Sequence, residues 1–183
     1  MGRSLKPLGP GTATFSPCEK WRYELTRDLT NYPRPVKMHP PRGVLLSIGL
    51  NPSTATCDDD DPTIHKESFY TIAWGYAVYI KANAYGYRAT VPADMFAARD
   101  RGGIDIVGPG NDAAIRAAVA RVRREGGRVL AAWGGNIEPD RQRAVARLLA
   151  NVEVVCVRRN NDGTPMHPLY ARNAVVPVVW TCP

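Results

Sequence analysis

Four short apolar segments limit what this chain can fold into. They are Val44–Leu50 (VLLSIGL), Tyr76–Tyr85 (YAVYIKANAY), Arg128–Trp133 (RVLAAW) and Val152–Val157 (VEVVCV), with helical patterns lying between them. Val44–Leu50 is β-branched, bounded by Gly43 and Asn51-Pro52, and reads as a strand buried on both faces. Strands alternating with helices predict a three-layer α/β/α domain around a central, mostly parallel four-stranded sheet.

Three helices are readable. Asp61-Pro62 supplies an N-cap and a proline at the first helical position, so a helix is expected over Thr63–Trp74 with Ile64, Ser68 and Ile72 on one face. Asn111 is expected to cap a helix over Asp112–Glu125, closed by Gly126-Gly127. Pro139 opens a third, to about Leu149. Pro92–Gly110 reads as irregular. Cys18–Leu29 fits a helix (Trp21, Leu25, Leu29) or a strand (Trp21, Tyr23, Leu25) equally well. Seven of the 16 prolines fall between Met1 and Pro41. Residues 1–17 are therefore expected to form a flexible arm, Tyr32–Gly43 a loop, and 18–183 a single domain.

Ligands of such sheets bind beyond the carboxyl ends of the strands. The loops that follow the strands are the places to look. After the first comes GLNPSTAT, Gly49–Thr56. Gly49 permits a tight turn and Pro52 stiffens it, Asn51 presents an amide, and Ser53 and Thr54 offer hydroxyls to a phosphate or a water. After the second comes NAYGYRAT, where Asn83 can pair with a base edge, Tyr85 can stack and Arg88 can meet phosphate. Trp133–Asn136 (WGGN) follows the third. NNDGTPMHPLY follows the fourth and holds His167 in a rigid loop. Asp58–Asp61 is an acidic run: Asp61 is the expected helix cap, Asp58 and Asp59 read as solvated, and Asp60 stays open as an acid or base.

No GxxxxGK[ST], HExxH or GxSxG motif occurs. The four cysteines are scattered with no CxxC pair, so neither a zinc ribbon nor a thioredoxin-type site is indicated, and no metal or cofactor is expected. The longest apolar run is too short for a membrane span, and no secretion signal is visible, which sets a cytoplasmic protein as the expectation. A net charge of +7 favours an anionic partner, DNA or a nucleotide. Nothing bears on the oligomeric state.

Several motifs resemble an uncharacterised bacterial and phage family, the domain-of-unknown-function family 1643. They are RYEL at Arg22–Leu25, LNPSTA at Leu50–Ala55, DDPTI at Asp60–Ile64, YRAT at Tyr87–Thr90, VGPGND at Val107–Asp112, AAWG at Ala131–Gly134 and DGTPMHPLY at Asp162–Tyr170. More distantly, the motif order resembles the uracil-DNA glycosylase superfamily. GLNPS at Gly49–Ser53 is similar to its GINPG-type loop, Asn83 falls where its base-reading asparagine stands, AAWG is similar to LLWG, and HPLY at His167–Tyr170 is similar to its HPSPLS loop.

That resemblance implies a flipped base in a strand-end pocket. Asn83 would pair with the base, Phe69 or Tyr85 would stack on it, Asn51 would position water and His167 would donate to the leaving base. Ser53, Thr54, Arg88 and Tyr170 would contact phosphate or ligand. The chain departs from the superfamily at Asn51, where its most efficient members carry aspartate, and at Ser53, near the position of their tyrosine. Three readings stay open: excision of uracil or a modified pyrimidine from DNA, processing of a nucleotide or modified base with a role for Asp60, and non-catalytic binding of nucleic acid or nucleotide.

Overall fold

A computed structural model describes residues 4–34 and 39–183. One mixed sheet of seven strands carries the fold, in the order β1-β2-β4-β3-β5-β6-β7. The strands are β1 (Ala13–Phe15), β2 (Arg22–Asp28), β3 (Val44–Gly49), β4 (Val78–Asn83), β5 (Gly127–Ala131), β6 (Val154–Cys156) and β7 (Val178–Val179). The four expected strands are β3 to β6; they lie side by side and run parallel. The sheet nevertheless exceeds the four strands expected. β1 and β2 extend one edge and β7 the other, all antiparallel. β1 and β7 are too short to leave a periodic signal, and β2 is the segment that fitted helix and strand alike.

Four helices occur among the described residues: α1 (Pro62–Ala73), α2 (Pro92–Gly102), α3 (Asn111–Glu125) and α4 (Pro139–Leu148). Asp61 caps α1 as expected, its Oδ1 accepting from the backbone N–H groups of Thr63 and Ile64 at 2.9 Å. Two expectations are corrected. α2 lies in the stretch read as irregular; it buries only Met95, so it has almost no apolar stripe to detect. Asn111 is the first helical residue rather than the cap, which is Gly110. Its side chain instead donates to the carbonyls of Asn83 and Ala84 at 2.9 and 3.3 Å, tying α3 to the end of β4.

The segment expected as a flexible arm holds β1, and Leu5 exchanges backbone hydrogen bonds with Asp60. Residues 1–3 of that arm, and 35–38 of the expected loop, lie outside the described residues.

The two faces of the sheet differ. Val44, Leu46, Ile48, Ile80 and Ala82 pack against Ile115, Val119 and Val122 of α3 and Val145 of α4 in an apolar core. The opposite face, under α1, carries Leu45 and Ser47 of β3, then Tyr79, Lys81 and Asn83 of β4, all buried. Strand side chains alternate between faces, so one apolar residue in two on β4 is replaced by a polar one toward α1. At the other side of the core, Trp133 meets Trp180 edge-on at 5.0 Å between ring centroids, and the Trp180 indole donates to Gly163 O at 3.1 Å.

Candidate functional site

The parallel strands β3, β4 and β5 end at one rim, where a cavity of about 570 Å³ opens. Asn51, Ser53, Thr54, Asn83, His167 and Tyr170 all line it. With Gly134, Gly135 and Asn136 beside them, segments from the ends of four parallel strands converge, for the reason the topology gives: parallel strands deliver their following loops to the same edge.

Asn83, the last residue of β4, is 1% exposed, and neither its Oδ1 nor its Nδ2 has a partner. Buried amides are normally satisfied, and an orphaned one is destabilising. Gly49 stands beside it in register on β3. A Cβ at Gly49 would lie 2.7 Å from Asn83 Oδ1 and 2.8 Å from Lys81 Nζ, so glycine here makes room for two side chains. That replaces the turn role expected for Gly49.

Asn51 is held the other way round. Its Nδ2 donates to Ala89 O at 2.7 Å and Pro52 O at 3.2 Å, which leaves Oδ1 as an acceptor for whatever enters. His167 precedes a 3-10 turn, Pro168–Tyr170, and its Nδ1 accepts from Leu169 N at 3.3 Å. The proton of the neutral ring therefore sits on Nε2. Burial pulls the His167 pKa below its ordinary value, and the Lys81 cation pulls the same way. Tyr170 stands at the mouth, 83% exposed.

The lowered His167 pKa sets a direction for stability. Below its ordinary value of about 6.5 the unfolded ring takes up a proton before the folded one does. His167 thus favours the fold fully above that pH and progressively less as pH falls toward its folded pKa. We expect the urea-unfolding free energy to fall less steeply over that window in His167→Gln than in the parent chain. Parallel curves would contradict the assignment.

Four expected site residues lie elsewhere. Phe69 projects from the outer side of α1, 45% exposed, against His65 and Tyr32. Tyr85 is buried; its hydroxyl donates to Glu138 Oε2 at 2.9 Å and its ring meets Phe96 edge-on, so it cannot stack on a ligand. Arg88 lies over the Phe15 ring and donates to Glu19 O at 3.1 Å. Asp60 is sealed, 0% exposed, in an ion pair with Arg27 at 2.7 Å; burial raises its pKa and the Arg27 bonds oppose the rise. An acid or base role for Asp60 has no route to the cavity.

Three residues of the wall escaped the sequence reading. Lys81 lines the cavity from within a buried network, donating to Ser47 Oγ at 3.1 Å and to both oxygens of Glu67 at 3.0 and 2.9 Å. Tyr79 donates to the same carboxylate at 2.5 Å, and burial, with Glu67 beside it, holds the phenol well above its ordinary pKa. Asp61 lines the cavity too, with its Oδ2 unused by the helix cap. The third is Arg22. Among the described residues no cluster of histidine, cysteine and acidic side chains could hold a metal ion. No helix there is long and apolar enough to cross a membrane.

One family model, that of a protein of unknown function (DUF1643), matches residues 22–169. Neither the curated proteins nor the solved structures contain a match.

Proposed function

This chain belongs to the DUF1643 family, and we propose that its strand-end cavity binds the base of a nucleotide and hydrolyses the N-glycosidic bond. The substrate class is uracil or a modified pyrimidine in DNA, flipped from the helix. One observation carries the reading: an amide with a free donor and a free acceptor, Asn83, is buried in the wall of a cavity it shares with Asn51 and His167. A pyrimidine edge carries the complementary acceptor and donor side by side.

Each remaining group then has a task. His167 is neutral, with Nε2–H available, and donates a hydrogen bond to the carbonyl oxygen of the base as that oxygen gains negative charge. Asn51 Oδ1 accepts from the attacking water and orients it. Asp61 faces the positive charge that grows on the sugar as the bond to nitrogen stretches. Water supplies hydroxide to the sugar carbon and, through solvent, the proton the base finally takes. Tyr170, exposed at the mouth, is the aromatic ring among the described residues placed to cover the base. Lys81 is ion-paired with Glu67 and holds the floor in place.

The test is release of base from oligonucleotides bearing uracil or hydroxymethyluracil, read as abasic sites cleaved by alkali. We expect product with the parent chain and a loss of about 10²–10³-fold in His167→Ala, the size of one preorganised donor. A comparable loss is expected in Asn51→Ala. No abasic product from any of these substrates would defeat the hydrolytic reading.

A further inference from the structure

We infer that Arg22 forms an anion subsite in the same cavity, fitted to the phosphate of a nucleotide. The subsite rests on Arg22 itself; that its ligand is a nucleotide rests on the base-binding reading above.

Arg22 opens β2 and is 1% exposed, yet it lines the cavity. Nη1 donates to Ala55 O at 2.7 Å. Nε has no partner, and among the described residues no carboxylate closes an ion pair with this guanidinium. The other buried arginines differ. Arg27 gives Nε and Nη2 to Asp60 at 3.0 and 2.7 Å, and Arg141 meets Asp112 at 2.6 Å. A buried cation without a counter-ion is costly unless something else supplies the negative charge.

Nothing in the wall does so fully. Asp61 attracts Arg22 from a distance but spends Oδ1 on the cap of α1. The amides at that helix start are likewise taken, so the helix end is not what would hold an anion. Burial draws the Arg22 pKa down to about 10, which leaves it a cation at neutral pH. The planar fork of a guanidinium matches two oxygens of a phosphate, and the hydroxyls of Ser53 and Thr54 line the same cavity. A volume of about 570 Å³ is in the range that takes a whole nucleotide rather than a bare base.

Calorimetric titration with inorganic phosphate, uridine, uridine 5′-monophosphate and a uracil-bearing single strand tests this. The monophosphate is expected to bind the parent chain about tenfold or more tighter than uridine. Arg22→Gln should abolish that ratio and leave uridine binding unchanged, and Arg22→Lys should restore part of it. Equal affinity of the parent chain for uridine and its monophosphate overturns the subsite. Inorganic phosphate binding that disappears in Arg22→Gln upholds the subsite even where uridine fails to bind; the base reading alone then falls. Preference for the monophosphate over the single strand identifies a free nucleotide as the phosphate source, and the reverse identifies a DNA backbone. Should Arg22→Gln not fold, the Arg22 Nε–H resonance of the parent chain decides. A shift with inorganic phosphate and none with uridine upholds the proposal; no shift with phosphate overturns it.

Discussion

Lys81→Met should lower the unfolding free energy by about 3–5 kcal/mol, the usual cost of removing one partner from a buried ion pair. For a chain of this length that is a drop of roughly 6–20 °C in melting temperature. Lys81 is 3% exposed and Glu67 0%. Without the ammonium, the carboxylate keeps a single donor, the Tyr79 hydroxyl, in a site that water does not reach. The charge itself then becomes the problem, so the remedy is to remove it. Lys81→Met combined with Glu67→Gln should recover at least half of the loss, because the amide oxygen still accepts from Tyr79. Urea melts of the two single variants and the double variant measure this directly. A Lys81→Met chain within about 0.5 kcal/mol of the parent would show that the pair carries no such weight. The same variant has a second readout. Lys81 helps to lower the His167 pKa, so its removal should move the His167 titration, followed by NMR, back toward its ordinary value.

The second large effect has the opposite sign for the fold. Asn83→Leu should leave stability unchanged or raise it by about 1–2 kcal/mol, because the amide it removes has no hydrogen bond to lose. Binding of uridine should weaken about 10–100-fold, the value of one paired base edge. Most buried polar residues behave in the reverse way, losing stability first. A marked fall in the Asn83→Leu melting temperature would mean that the amide is satisfied in the folded protein and is not reserved for a ligand.

The layout of the site was legible where local chemistry alone decides it. Asp61-Pro62 marks the start of α1 by itself, and apolar runs bounded by glycine and proline mark β3 and β5. That the loops after these strands share one rim follows from parallel pairing and needs no side-chain detail. What escaped was whatever depends on partners distant in sequence. Lys81 sits inside an apolar strand, and only Glu67 on α1, 14 residues earlier, explains it. The alternation Tyr79, Lys81, Asn83 was a period-two signal for a polar sheet face, visible in the sequence but hidden by the apolar residues between. Asp60 and Asp61 are adjacent and chemically alike. One is locked to Arg27 and the other lines the cavity, a distinction set by the path of the backbone and not by residue type. Tyr85 and Arg88 have the right chemistry for a ligand, but Glu138, Phe15 and Glu19 reach them first.

The indole of Trp180 braces Trp133 behind the cavity and hooks the turn at Gly163, four residues before His167. It lies eleven residues past the span that the family model recognises, which stops at 169. Recognition and architecture therefore have different borders. A fragment trimmed to the matched span would keep every residue assigned to chemistry here except Tyr170 and lose the buttress that keeps the histidine loop in register with the rest.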